Sequence, residues 1–172
     1  IYLAVQEFSR RTMCTVSWST QPAGYTLFFN RDESGKRQDG IPPKVETYQS
    51  TQFICPRDPV GKGTWLLVNE YGLTLGLLNF YEAQINYHPV TPKSRGQLPI
   101  EHAHCKQLEE VETKLAQSDL SPYPPLHLLA VDKTGTAILI TWDGTKQSVS
   151  HPKWEDLPIT TSSFLTSEVV DR

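Results

Sequence analysis

Apolar and polar residues alternate over Cys14–Ser19, with β-branched positions among them, and this pattern predicts a strand. Gln21-Pro22-Ala23-Gly24 is a turn, and Tyr25–Asn30 predicts the strand that pairs with the first in a hairpin. The polar stretch Arg31–Pro43 reads as a loop, Gln52–Cys55 as a short strand and Pro56–Gly63 as a second loop. Thr64–Val68 and Leu73–Leu78 are apolar strands joined by Asn69-Glu70-Tyr71-Gly72. Phe80–Lys93 is irregular. Ser94 then caps a helix predicted from Arg95 to about Gln117, on the spacing of Leu98, Ala103, Leu108, Val111 and Leu115. After the proline-rich Ser118–Pro125, Leu126–Val131 and Thr136–Thr141 form another hairpin, and Gln147–Ser150 a further strand. The tail from His151 reads as loop, with a helix start over Ser162–Val170.

The sum is about eight short strands, mostly in hairpins, and one long helix. Trp65–Val68, Leu75–Leu78 and Leu128–Val131 are too continuously apolar to face water on one side. They predict central strands covered on both faces, hence stacked sheets with outer helices in an α+β fold.

Composition narrows the function more than the fold. The 172 residues suffice for one domain, with 38% hydrophobic and 20% charged residues. The net charge of −3 and the scattered Lys and Arg exclude a nucleic-acid footprint, and no apolar run is long enough to span a membrane. Cys14, Cys55 and Cys105 are odd in number and widely spaced, which fits a reducing, cytoplasmic setting rather than a disulfide framework. Residues 1–12 read as an N-terminal extension (a tag, a mis-set start or a pro-segment) before a single domain over 13–172 that stops short of its natural C-terminus.

Met13-Cys14 opens the first strand. If the chain were cut between them, Cys14 would carry a thiol of pKa about 8.5 and an α-amine of about 7.7–8.0, so one residue supplies nucleophile and base. The plainer reading is a small apolar residue in a strand. Phe28-Phe29-Asn30-Arg31-Asp32-Glu33 places charges where an apolar strand ends and the hairpin returns toward Cys14. There Arg31 suits a carboxylate or a thiolate, and Asp32 an ammonium. Asn79 follows another apolar strand, and its amide is a suitable oxyanion donor. His102, His104 and Cys105 lack the spacing of a metal set, and no cofactor motif is present: Gly61-Lys62 is missing the first glycine of a phosphate loop.

Met13-Cys14-Thr15-Val16-Ser17-Trp18, Phe29-Asn30-Arg31-Asp32-Glu33, Gly63-Thr64-Trp65-Leu66-Leu67-Val68-Asn69, Gly72-Leu73, Leu77-Leu78-Asn79 and Ser94-Arg95-Gly96 resemble, in order, the motifs of the NRDE family, of transport-and-Golgi-organisation type. That family is similar to N-terminal-nucleophile (Ntn) hydrolases, bile salt hydrolases and penicillin V acylases among them. The resemblance implies a four-layer αββα sandwich with antiparallel sheets. It further implies Cys14 as nucleophile and base, Arg31 and Asp32 as charges beside it, Asn79 as oxyanion donor, and Asn30, Trp65 and Arg95 as substrate-binding positions. The acylases carry Arg-Asn-x-Asp where this chain has Asn30-Arg31-Asp32-Glu33, and their later catalytic Asn and Arg have no counterpart here.

Two functions therefore stand side by side. One is a cysteine hydrolase or acyltransferase working on an amide or thioester through a thioester intermediate. The other is a non-catalytic protein of the same fold that binds a hydrophobic ligand. The expected partner is a small molecule, an acyl amide, acyl-CoA or haem, with a homo-oligomer compatible with either.

Overall fold

The computed structural model describes residues 13–32, 36–83 and 91–162, with the backbone alone at Met13, Asp32 and Ser162. Strand β1 (Met13–Gln21) pairs with β2 (Gly24–Asp32) on one side and β10 (Ile159–Ser162) on the other, in an antiparallel three-stranded sheet. The other strands, β3 (Ile41–Tyr48), β4 (Thr51–Arg57), β5 (Leu66–Asn69), β6 (Thr74–Asn79), β7 (Leu126–Val131), β8 (Ala137–Trp142) and β9 (Gln147–Ser150), lie in chain order in one antiparallel seven-stranded sheet. Helices α1 (Gln97–Glu101) and α2 (Leu108–Ala116) pack on the large sheet, and the small sheet packs on its other face. The fold is the α+β sandwich expected from the strand pattern. Among the described residues it has three layers, with no helix on the outer face of the small sheet.

The apolar runs fill two cores. Between the sheets lie Cys14, Val16, Leu78, Leu129, Val131 and Ala137. Between the large sheet and the helices lie Leu75, Leu77, Leu128 and Ile140 with Leu98, Val111 and Leu115. Every residue of β6 but the last is buried, because alternate side chains enter opposite cores. Each fully buried leucine contributes roughly 2 kcal/mol.

The structure departs from the sequence reading in three places. Strand β3 is not among the expected elements: its first three residues, Ile41–Pro43, end the stretch read as loop, and the rest carries no assignment. Pro42 and Pro43 hide it, and they are tolerated because β3 is an edge strand with a register shift between Ile41 and Lys44. In the tail, Ile159–Ser162 adds β10 beside β1, with Cys14 opposite Thr161. The single helix is two short ones, interrupted at residues 102–107. Asn69 explains the break: its Nδ2 donates to the carbonyls of Ala103 (2.9 Å) and Cys105 (2.7 Å). Its Oδ1 accepts the N–H groups of Tyr71 (3.1 Å) and Leu73 (3.0 Å), so this buried amide uses its full capacity to join the β5–β6 turn to the helical layer. Gly72 supplies the positive φ of +79° that the turn requires. The helix expected over Ser162–Val170 lies outside the described residues, apart from the Ser162 backbone in β10.

His127 sits on β7, where its Nδ1 bonds Thr141 Oγ1 (2.8 Å) and its ring lies 4.5 Å from that of Phe80. Burial pushes its pKa down to about 4, against a partial upward pull from Glu82. The unfolded chain binds this proton near pH 6.5 and the folded chain only near 4. Stability is therefore complete above about pH 6.5 and falls as the pH drops through that window, by roughly 3 kcal/mol from this residue. Urea midpoints of wild type and His127→Gln across the window are expected to diverge, with the variant losing less.

Candidate active site

The period-two alternation of β1 and β2 brings the chemistry together. Cys14, second residue of β1, is in direct register with Arg31 of β2, one residue before the strand ends. Cys14 is buried and seals the end of the inter-sheet core, yet it also lines a cleft of about 230 Å³. Arg31, Trp65, Asn79 and Arg95 line the same cleft. Five sequence candidates from five separate segments thus meet at one place.

Each of the four is held by an identifiable contact. The Arg31 guanidinium lies over the Trp65 ring, 4.3 Å from its centroid, a cation–π arrangement that fixes a long side chain. Its Nη2 is also 3.7 Å from Asp58 Oδ2. Asn79 ends β6 and donates one Nδ2 hydrogen bond to Tyr81 Oη (2.7 Å), out of the two that its amide offers. Arg95 donates to the Pro125 carbonyl (2.8 Å), tying the turn before α1 to the start of β7. Behind it Gly63 and Gly96 cross backbone to backbone, with Thr64 N–H on the Gly96 carbonyl at 2.9 Å. A Cβ added at Gly63 would stand 2.4 Å from the Gly96 carbonyl carbon, so the Gly63-Thr64-Trp65 and Ser94-Arg95-Gly96 motifs are one packing unit.

Asn30 falls elsewhere. It pairs with Thr15 on the alternate positions of the hairpin, is exposed and does not line the cleft. A motif read as a block is split by the strand, since neighbours point to opposite faces. Asp32 closes β2 in register with Met13, and its side chain lies outside the described residues.

Three charged residues of the cleft escaped the sequence reading: Asp58, Arg37 and Lys93. Asp58 is the local hub. It forms an ion pair with Arg37, and its Oδ1 accepts the Val60 N–H (2.9 Å) in a turn at Asp58-Pro59. Burial would raise its pKa, but the hydrogen bond from Arg37 and those from the Val60 and Gly61 backbone hold the carboxyl below its usual range. The Asp-Pro pair inside a loop was the available signal, marking an ordered turn rather than a loose surface segment.

The three cysteines differ in chemistry. Burial raises the Cys55 thiol, and pushes that of Cys105 up to about 11. Among them only Cys14 lines this cleft. The thiolate is the reactive form, so iodoacetamide at mild alkaline pH is expected to modify Cys14 first and Cys105 last. Peptide mapping of the alkylated protein reads the order. Among the described residues, no group of three His, Cys, Asp or Glu side chains is placed to hold a metal ion. Nor is any described helix long and apolar enough to cross a membrane.

No curated protein matches the chain. Among solved structures, a conjugated bile acid hydrolase from Clostridium perfringens, in a cysteine-to-alanine mutant, aligns with a TM-score of 0.59 at 19% identity, covering 81% of this chain and 51% of that one. An arginine-to-leucine variant of the same protein aligns at 0.50 and 16%, covering 86% and 45%. A penicillin V acylase from Agrobacterium tumefaciens reaches only 0.47 at 16% identity, covering 93% and 47%. The bile acid hydrolase shares its fold with this chain, and the chain spans about half its length. The family model described as Transport and Golgi organisation 2 matches residues 13–167, which fill both sheets and the cleft, and the chain belongs to that family.

Proposed function

We propose that this chain is a cysteine hydrolase or acyltransferase acting on a carbon–nitrogen amide or a thioester, with Cys14 as nucleophile. The observation that carries the reading is the convergence of Cys14, Arg31 and Asn79 in one cleft, on a fold shared with a bile acid hydrolase.

The chemistry begins once the Met13–Cys14 bond is cut, since until then the Cys14 nitrogen is an amide with no basic lone pair. The freed α-amine takes the thiol proton, and Cys14 Sγ attacks the substrate carbonyl. The second N–H of the Asn79 amide receives the oxygen that becomes anionic. Arg31, held on the Trp65 ring and beside Asp58, supplies fixed positive charge next to the thiolate. Collapse breaks the carbon–nitrogen bond, and the α-ammonium gives its proton to the leaving amine. Water, or a second amine, then attacks the thioester and returns the thiol.

The alternative, a carrier of haem or an acyl chain, calls for a mostly apolar lining. The cleft offers Trp65, Leu77 and Pro124 for that purpose, amid a larger number of charged and polar groups. The testing experiment is a panel of N-acyl amides and acyl thioesters offered to protein whose N-terminus has been verified as Cys14. Turnover is expected, with Asn79→Ala lowering kcat by about 100- to 1,000-fold at little change in KM. Saturable ligand binding with no turnover of any panel member would favour the carrier.

A further inference from the structure

We infer that the Thr161 hydroxyl is a hydrogen-bond donor to the Cys14 thiolate; the role this gives Thr161 in the chemistry rests on Cys14 being the nucleophile. Strand β1 lies between β2 and β10, so Cys14 has two cross-strand neighbours in direct register, Arg31 on one side and Thr161 on the other. Residues opposite each other in an antiparallel ladder point to the same face, with Cβ atoms about 4.5–5.5 Å apart. One row across the small sheet therefore carries a guanidinium, a thiol and a hydroxyl on the face turned toward the large sheet.

Thr161 is 7% exposed, and its Oγ1 is buried with no hydrogen-bond partner among the described residues. Comparable buried hydroxyls in this fold are used: Thr64 Oγ1 donates to the Leu66 carbonyl (2.8 Å), and Thr74 Oγ1 bonds Tyr25 Oη. A hydroxyl left unpaired in the interior costs stability, so its presence calls for a partner that the resting fold does not supply. The side chain directly opposite is Cys14, whose neutral thiol is a weak acceptor and whose thiolate carries a full charge. Toward the core that sulfur meets apolar groups, Val16, Leu78 and Leu129 among them, which favour the neutral form. A donor that bonds only the charged form works against that penalty as the proton leaves.

The charged groups described around Cys14 are Arg31 on β2 and, lining the same cleft, Arg37, Asp58, Lys93 and Arg95; β6 and β7 present Leu78, Asn79 and Leu129. All are common to the variants compared, so a difference between variants reads Thr161. The test is the pH–rate profile of iodoacetamide alkylation at the Cys14 peptide, in the uncut chain, where no α-amine titrates beside the thiol. Thr161→Val keeps the shape and removes the hydroxyl. It is expected to move the profile's midpoint up by about one unit, which is a tenfold slower reaction below the midpoint. Its urea midpoint should stay or rise, because the unpaired group is gone. Thr161→Ser keeps the hydroxyl and loses a methyl, so the reverse is expected: an unmoved profile and a lower urea midpoint. A profile that Thr161→Val leaves unmoved, or that Thr161→Ser shifts as far, overturns the inference. So does a Thr161→Val protein that loses stability or fails to fold, since the hydroxyl would then already be bonded in the fold. A profile shifted by Thr161→Val in a protein that turns over no amide or thioester leaves the hydrogen bond standing while the hydrolase reading fails.

Discussion

Cys14→Ala is expected to reduce turnover to the uncatalysed background, a loss of at least about a thousandfold, while the protein stays folded. Both halves follow from where Cys14 lies. Its side chain is 7% exposed and packs with Val16 and Leu129 between the sheets, so removing one sulfur from the rim of that core costs about 1 kcal/mol. The same atom faces the cleft that holds Arg31 and Asn79, and no other cysteine lines it. Circular dichroism and a urea midpoint close to wild type, beside lost amide or thioester cleavage, are the expected pair of results. Cys14→Ser keeps the shape and is expected to be nearly as inactive, since a hydroxyl is a far weaker nucleophile at its free pKa.

Gly63→Ala is expected to have the largest effect on stability, about 3 kcal/mol, measured as the shift in urea midpoint at constant m-value. The added Cβ would fall 2.4 Å from the carbonyl carbon and 2.6 Å from the Cα and carbonyl oxygen of Gly96, all backbone atoms that cannot rotate away. The two segments must separate, which lengthens the 2.9 Å hydrogen bond from Thr64 N–H to the Gly96 carbonyl. That displacement reaches the cleft, because Trp65 follows Gly63 by two residues and Arg95 precedes Gly96 by one. Gly63→Ala should therefore impair catalysis more than its loss of folded protein accounts for. Gly61→Ala is the contrast: its Cβ meets the Ser94 hydroxyl at 3.0 Å and Asp58 Oδ2 at 3.3 Å, both side-chain atoms able to move.

What could be read from the sequence follows the range of the interactions involved. The β1–β2 hairpin was legible because its alternation and turn are local, and the register it sets is what places Arg31 across from Cys14. The continuous apolar run of β6 was legible as a strand buried on both faces for the same reason. Strand β3 was obscured by Pro42-Pro43, whose cost depends on sheet position, and position at an edge is a tertiary fact. The helix interruption depends on Asn69, more than thirty residues away in the chain. The Asp58 hub was hidden similarly, since Arg37 reaches it across 21 residues. Asn30 shows the opposite hazard, because a contiguous motif suggested a contiguous site and the strand divided it.

The most direct measurement is the intact mass of processed protein, beginning at Cys14, mixed with an N-acylglycine and quenched in acid within the first turnover. A mass increase equal to the acyl group, mapped to the Cys14 peptide and removed by hydroxylamine, is the predicted result. Substrate consumed with Cys14 unmodified, or with the acyl group on another residue, would contradict the account.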